Sequence, residues 1–473
     1  LFSSHTMAVW LWLLLSQICR AQPVDDNPIL VQTKSGLVEG TLTDKIRMFR
    51  RIPYAAPPVG ELRWAEPQYV SDWGNNTVDA TMDPPGCPQL CALPPKTCPL
   101  SISEDCLFLN IYTPANITAS SPKLPVLLFI HGGNFKQGYS GGLLYNGTDL
   151  ANYTNTILVS INYRLGVLGQ LWSVEAGMAG NYGFLDQKLA MRWIYNNIEY
   201  FGGDNTKITL FGQSAGAVSV ALHLTQRSEQ DSKLFQYAIM ESEPLGTPLR
   251  DTTTWGALPK LFFDKVGCSY DVFVTKDPEQ FWQCLRNRTV DQVLNAQAEC
   301  EVAVKVELDH EMDLFMPWTP TVGTDLFEQQ PIRSFQNGAI RDIPYMIGTV
   351  MNEGKLFIYE AYPNGIARDQ VMEIFAFLIG PENAVKVREH YPFPENTTDY
   401  RDYVSLVATD GLFKCATRNI TAEHLQSEFN FSSPVYLYHF NHASSFNEIE
   451  WNVNFTCCWG DVVCHGEELT YVF

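Results

Sequence analysis

Ser214 lies in Gly212-Gln-Ser214-Ala-Gly216, a G-x-S-x-G pattern. The run Ile208–Phe211 ahead of it is β-branched and aliphatic, and Ala217–Leu224 behind it reads as a helix. A strand that turns straight into a helix through this pattern projects the serine oxygen from the end of a sheet. The turn is so tight that the residues two before and two after the serine must lack side chains, and both are glycine. The helix N-terminus behind the serine favours developing negative charge. A second piece of the same chemistry follows Val126–Ile130, which runs into His131-Gly132-Gly133-Asn134. A glycine-rich loop after an early strand can aim backbone N–H groups at an oxyanion, worth about 3 kcal/mol of barrier each.

The elements that must hold these groups are legible as buried runs. Val126–Ile130, Ile157–Ile161, Ile208–Phe211, Tyr237–Met240, Met346–Val350 and Val435–Tyr438 are short, apolar and β-branched, as parallel strands buried on both faces are. Between them lie helical spacings. Gln187–Tyr200, for instance, sets Leu189, Met191, Ile194 and Ile198 among polar residues. The alternation predicts an α/β chain with a mostly parallel, doubly wound sheet covered by helices on both faces. In such sheets reactive groups gather at the carboxyl ends of the strands. Pro84–Pro99 reads as loop. No repeat or low-complexity tract interrupts the 473 residues, and residues 22–473 read as one domain.

Longer stretches resemble the carboxylesterase and cholinesterase family, the type-B esterases of the α/β-hydrolase superfamily. Phe201-Gly-Gly203 and then Ile208-x-Leu210-x-Gly212-x-Ser214-Ala-Gly216 is similar to that family's serine signature, and Glu104–Pro114 to its second signature. Val38–Pro67, Asn162–Gly166 and Gly183–Gln187 match as well, so the resemblance covers the chain from about Val31 to its last residue. It implies Gly133, Asn134 and Ala215 as oxyanion donors. It also exposes three departures. Asn134 stands where a third glycine is usual, Gln213 where a glutamate is common beside the nucleophile, and Glu243 where a small residue is usual.

In this fold the triad acid follows the serine in the chain and the histidine comes last. Asn352-Glu353-Gly354 lies just past a predicted strand, and the resemblance makes Glu353 the acid that orients the imidazole. Of nine histidines, His465 in His-Gly-Glu-Glu-Leu-Thr-Tyr-Val-Phe473 resembles the family's H-G-x-E segment and is the candidate base. His390, His439 and His442 are rivals placed like structural histidines, and His223 reads as packed within the helix after the serine. The implied reaction is ester hydrolysis through an acyl-enzyme, without cofactor or metal. Cys457, Cys458, Cys464 and His465 have the wrong spacing for a tetrahedral metal site.

The resemblance also implies disulfides Cys87–Cys106 and Cys268–Cys284, each closing a short loop worth roughly 3 kcal/mol, and structural ion pairs Arg63–Glu104 and Arg164–Asp186. Cys91 and Cys98 are candidates for a small extra bridge, and Cys300 has no nameable partner. Cys415 resembles a family cysteine whose partner lies further along. Together with the apolar end Tyr471-Val-Phe473, this leads to the expectation that the chain is truncated at its C-terminus.

Ala8–Cys19 followed by Arg20-Ala21 reads as a signal-peptide core with cleavage after Ala21 and Met7 as candidate start. Nine N-x-Ser/Thr sequons, at Asn75, Asn116, Asn146, Asn152, Asn287, Asn396, Asn419, Asn430 and Asn454, and twelve cysteines fit secretion. No later run is long enough for a transmembrane helix. The net charge of −20 excludes a nucleic-acid partner. A choline-specific enzyme would need an aromatic cage for the cation. The first disulfide loop, where cholinesterases carry their tryptophan, holds no Trp, Tyr or Phe between Pro88 and Asp105. A general carboxylesterase acting on small-molecule esters is therefore the reading. A cholinesterase-like enzyme, or a catalytically weak adhesion or binding protein, is the alternative. The oligomeric state is not encoded in any motif.

Overall fold

The structure, a computed structural model, describes residues 29–473 with the exception of 71, 75, 95–96, 119, 270–276, 308–315, 427–428, 430, 447, 449–450 and 452–453. The signal-peptide reading and the sequons at Asn75 and Asn430 lie outside the described residues.

A nine-stranded sheet forms the centre. Its strands are β1 (Thr41–Leu42), β2 (Ile46–Pro53), β3 (Phe108–Pro114), β4 (Leu124–Ile130), β5 (Ile157–Ile161), β6 (Gly203–Gln213), β7 (Tyr237–Glu241), β8 (Tyr345–Val350) and β9 (Val435–Phe440). Their order across the sheet is β9-β8-β7-β6-β4-β5-β3-β2-β1. The pairs from β9 through to β5 are parallel, and those from β5 through β3 and β2 to β1 are antiparallel. All six strands read from the sequence are present; β5 matches its apolar run, β6 extends well beyond it to Gly203 and Gln213, and the other four are one or two residues longer. The antiparallel edge was not read as strand. β3 carries Asn110 and Thr113 in a stretch buried on both faces. Asn110 fits there because its amide accepts from Arg51 N–H at 3.0 Å and donates to the Ser140 carbonyl at 3.1 Å.

The period-two alternation of the strands divides their side chains between two cores. Val126, Leu128, Ile130, Val159 and Leu210 belong to the larger one, whereas Phe129, Leu158 and Phe211 belong to the other. Helix α1 (Tyr182–Asn197) and helix α2 (Ala215–Leu224) pack into the larger core, and every residue of α2 is buried. The expected helix Gln187–Tyr200 starts five residues earlier and passes into a 3-10 turn at Ile198–Phe201. Over the second core lie Leu469 and Phe473, whose ring stands 4.9 Å from that of Phe129. Tyr471, expected to be buried with them, is exposed and instead touches Phe440, His442 and Phe446. Helix α3 (Glu353–Ala361) follows β8 and packs on α4 (Arg401–Ala408).

Four disulfides form among the described residues: Cys87–Cys106, Cys91–Cys98, Cys268–Cys284 and Cys458–Cys464. Cys300, Cys415 and Cys457 are free thiols. The two expected ion pairs are made. Arg63 Nε donates to Glu104 Oε1 at 2.6 Å, and Arg164 grips Asp186 through two bonds of 2.7 and 2.8 Å. Both are buried and hydrogen-bonded onward, Arg63 to the carbonyl of Arg288 and Arg164 to that of Ala65. The first ties loops to one another and the second ties a loop to helix α1, and none of their residues lines the cavity that holds Ser214.

Candidate active site

The chain leaves β4 in one direction to form β5 and in the other to form β6. A crevice opens at the carboxyl ends of strands where the order reverses in this way. Ser214 stands there, between β6 and α2, with φ 57° and ψ −122°, a conformation that L residues avoid and that strains the turn. Its N–H donates to the Glu241 carbonyl at 2.9 Å. A Cβ on Gly216 would lie 2.0 Å from the Ile130 carbonyl oxygen, and one on Gly212 would lie 2.6 Å from Gly216 backbone. The elbow closes only because both are glycine.

The loop after β4 faces the serine. Gly133 has φ 108° and a Cβ there would meet the Gln137 carbonyl oxygen at 2.2 Å. Asn134 also sits at positive φ (55°), a region asparagine tolerates better than most residues, so the departure from glycine keeps the backbone path. The N–H groups of Gly133, Asn134 and Ala215 have no protein acceptor among the described residues.

On the far side, α3 begins with Glu353, fully buried. Its Oε1 accepts from Val350 N–H at 2.9 Å and its Oε2 from His465 Nδ1–H at 2.6 Å. His465 is placed by contacts that no local motif announced. Asn352 exchanges two hydrogen bonds with Val463, of 2.9 and 3.1 Å, and the Cys458–Cys464 disulfide closes the turn before the histidine. The imidazole lies against Phe357 and Phe413, with ring centroids at 5.0 and 5.3 Å. With Nδ1–H given to a carboxylate, Nε2 carries the lone pair, and Gln213 Nε2–H donates to it at 3.1 Å.

The rival histidines are elsewhere. His223 stacks on Phe184 at 4.1 Å and bonds Gln187, His390 bonds the Lys386 carbonyl, and His439 bonds Thr349. His131 is buried against Tyr163, and burial holds its ring well below the usual value, at about 4. Two of the three sulfurs near His465 are joined in a disulfide, and the third, Cys457, lies 3.7 Å from Cys458 Sγ.

This arrangement coincides with a match over residues 27–473 to the model of the carboxylesterase family. The chain belongs to the carboxylesterase family. It is therefore a carboxylic ester hydrolase by class. It is 37% identical over 445 residues to the cAMP-regulated D2 protein of Dictyostelium discoideum, covering 94% of this chain and 78% of that one. It is 36% identical over 449 residues to the Crystal protein of the same organism, covering 95% and 76%. Among solved structures, a PNB esterase matches with a TM-score of 0.74 at 28% identity, covering 93% of this chain and 84% of that one.

Within this carboxylesterase, Ser214, His465, Gln213, Gly133 and Asn134 line a cavity of about 580 Å³. The first disulfide loop contributes Ala92, Leu93, Pro94 and Thr97, all without aromatic rings. The aromatic wall comes from regions the sequence did not flag, namely Phe357 on α3, Trp451 and Phe455 in the segment before His465, Tyr145, and Phe473. Trp451 is fixed by donating its indole N–H to Glu467 at 2.5 Å. Among the described residues no Lys or Arg lines the cavity, and the carboxylates Asp149 and Glu360 do.

Behind Glu353 and His465 lies a second layer of acids. Burial and the neighbouring Glu353 carboxylate push Glu468 up to about 7, while Ser242 Oγ–H donates to it at 3.1 Å. Burial, reinforced by Glu468, raises Glu241 well above the carboxylate range. Glu243, the third departure, is wholly buried and neither carboxylate oxygen finds a hydrogen-bond partner among the described residues. Burial raises it strongly as well. It does not line the cavity.

Proposed function

We propose that this chain is a secreted serine carboxylesterase that cleaves esters through an acyl-enzyme, with Ser214 as nucleophile, His465 as general base and Glu353 as the acid. The carrying observation is the 2.6 Å bond from His465 Nδ1–H to Glu353 in the wall of the cavity that also holds Ser214. In the forward step Ser214 Oγ attacks the ester carbonyl as its proton passes to His465 Nε2. Glu353 stabilises the imidazolium that forms. The N–H groups of Gly133, Asn134 and Ala215 receive the oxyanion. His465 then protonates the leaving alcohol, and water repeats the sequence on the acyl-enzyme.

The cavity favours esters of apolar acids and alcohols. Its size suits a drug-sized molecule and most of its walls are hydrocarbon or aromatic. Secretion is supported by the leader-like Ala8–Cys19, by four disulfides, and by the sequon asparagines. Of the seven described, six are exposed and Asn152 is half-buried. No described helix is long and apolar enough to cross a membrane.

A second reading, a catalytically weak binding protein on the same fold, is favoured by one observation. The Nε2 lone pair that should receive the Ser214 proton is taken by Gln213. The test that separates the two is labelling with a fluorophosphonate probe beside turnover of nitrophenyl esters of graded acyl length. The esterase reading expects both, and expects both to vanish in Ser214→Ala with the fold intact. Undiminished turnover in Ser214→Ala would overturn Ser214. Absence of labelling in the native chain would favour the binding protein.

A further inference from the structure

We infer that Gln213 is a latch on the general base. In the resting site its carboxamide holds the imidazole in the productive tautomer but keeps Nε2 from Ser214, and acylation must break that hold. The inference rests on the triad reading above and goes beyond it, because it assigns a rate-setting role to a residue outside the triad.

Three observations carry it. The first is the chemistry of the contact. His465 Nδ1–H is committed to Glu353 at 2.6 Å, so Nε2 can only accept, and the group 3.1 Å away is the Gln213 amide nitrogen, which can only donate. A serine hydroxyl would need the same lone pair. No hydrogen bond joins Ser214 Oγ to His465 among the described residues. The second is the seat of the amide. It lies between two glycines, one from each side of the site. A Cβ on Gly132 would come within 2.9 Å of Gln213 Oε1, and one on Gly466 within 3.7 Å of its Nε2. Only the loop after β4 has to lack a side chain to leave room for this amide; at Gly466 a Cβ would make an ordinary contact. The third is access. Gln213 is buried from bulk solvent yet lines the substrate cavity, so a bound ester can touch and displace it.

A carboxylate at the same place would act in the opposite sense. It has no proton to offer a bare Nε2 and would pair instead with the protonated ring, which raises the pH needed to keep His465 neutral while also steadying the imidazolium that forms in acylation. An amide stabilises the neutral ring and obstructs it only by one hydrogen bond. Removing that bond while keeping the side-chain length should speed acylation. Introducing the acid should instead move the rate profile to higher pH.

The test compares the native chain with Gln213→Met and Gln213→Glu. The rate of phosphonylation by a fluorophosphonate probe is measured under pseudo-first-order conditions, with circular dichroism to confirm folding. Gln213→Met is expected to label roughly three- to tenfold faster, the factor that corresponds to one net hydrogen bond. In Gln213→Glu the pH profile of labelling is expected to move to higher pH. A residue that merely packs the site would slow labelling in Gln213→Met and leave the profile of Gln213→Glu in place. In ¹⁵N-histidine-labelled protein, the His465 Nε2 resonance, assigned by its loss in His465→Asn, should move toward that of an unbonded imidazole nitrogen in Gln213→Met. A folded Gln213→Met that labels no faster, with Nε2 unmoved, overturns the latch. If neither the native chain nor Gln213→Met labels, it is the triad reading that fails. The nitrogen resonance, which requires no turnover, still decides whether the amide holds the ring.

Discussion

The two sides of the site are built by different means. On the β4–β6 side, Gln213 apart, every proposed functional group is backbone or within two bonds of it. The proposed oxyanion donors are N–H groups of Gly133, Asn134 and Ala215, and Ser214 is held by its own φ of 57° between glycines that admit no Cβ. On the β8–β9 side the groups are side chains assembled from distant places. Glu353 starts α3, and His465 arrives 112 residues later, steered by Asn352, by a disulfide and by two phenylalanine rings. A backbone-defined half can be damaged by adding a single carbon anywhere along the turn. A side-chain-defined half fails by losing a partner while the fold survives.

That contrast is sharpest in the two largest expected effects. Glu353→Gln keeps the volume and can still accept from Val350 N–H, but it no longer fixes the Nδ1–H tautomer or stabilises the imidazolium. Turnover should fall by about 10³- to 10⁴-fold with the melting transition little changed. Steady-state kinetics and calorimetry on the same preparation check both halves of the statement. A large loss of stability with modest loss of rate would show that the acid is there for the fold. Gly216→Ala should do the reverse on the other side. Its new Cβ would stand 2.0 Å from the Ile130 carbonyl oxygen, inside the sheet-to-helix junction where nothing can move alone. Overpacking of a core typically costs 1–3 kcal/mol, and a clash against backbone belongs at about 3 kcal/mol or above. Denaturant unfolding measures it, and a variant as stable as the native chain would break the comparison.

The same contrast explains what the sequence could say. The serine elbow and the oxyanion loop are local, so Gly212, Ser214, Gly216 and Gly132-Gly133 are readable from a dozen residues each and from the steric needs of one turn. The six parallel strands are readable too, because each is nearly continuous in apolar residues, although only the central ones are buried on both faces and the edge strand β9 leaves Tyr436 and Leu437 exposed. Glu353 and His465 became candidates only through resemblance, since nothing near Glu353 points to a histidine 112 positions on. The antiparallel strand β3 escaped because buried Asn110 breaks its apolar run, and its amide is satisfied by Arg51 and Ser140 from outside the segment. The aromatic wall escaped for a related reason. Trp451 and Phe455 lie in a sequence without strand or helix periodicity, and only the fold brings them to the cavity that holds Ser214. Gln213 was visible as a departure, but its bond to Nε2 depends on a ring brought from the other end of the chain.

A smaller effect tests the acids behind the side-chain half. Glu468 faces Glu241 and Glu353, with His465 and the hydroxyls of Tyr145 and Tyr438 nearby. Its folded pKa is raised to about 7 from an ordinary 4.5, chiefly by burial. A raised carboxyl binds its proton more tightly in the folded chain. The folded state is therefore favoured most at low pH, and that advantage is lost as pH rises from about 4.5 to about 7. Across that window the loss amounts to about 3 kcal/mol for the single group. Glu468→Gln, neutral throughout, should flatten the slope of unfolding free energy between pH 5 and 7. An unchanged slope would assign it to Glu241 or Glu243, which are raised in the same direction.

The smallest effect concerns the disulfide next to the base. Cys458 and Cys464 are six residues apart, so their bond removes about 2 kcal/mol of loop-closure entropy from the unfolded chain. The test is a double variant, Cys458→Ala with Cys464→Ala. A single change would leave a sulfur that the free Cys457 could capture, since the three sulfurs lie within 4.8 Å of one another. The double variant should lose stability by about that amount in denaturant unfolding. Its rate should fall less than tenfold, because His465 keeps three independent holds: the carboxylate of Glu353, the paired bonds between Asn352 and Val463, and the rings of Phe357 and Phe413. Side-chain assembly with several partners tolerates the loss of one. A rate loss beyond a hundredfold, with Glu353 and Asn352 untouched, would mean that the disulfide alone sets the ring. The base would then depend on a single covalent tether, as narrowly as the elbow depends on its glycines.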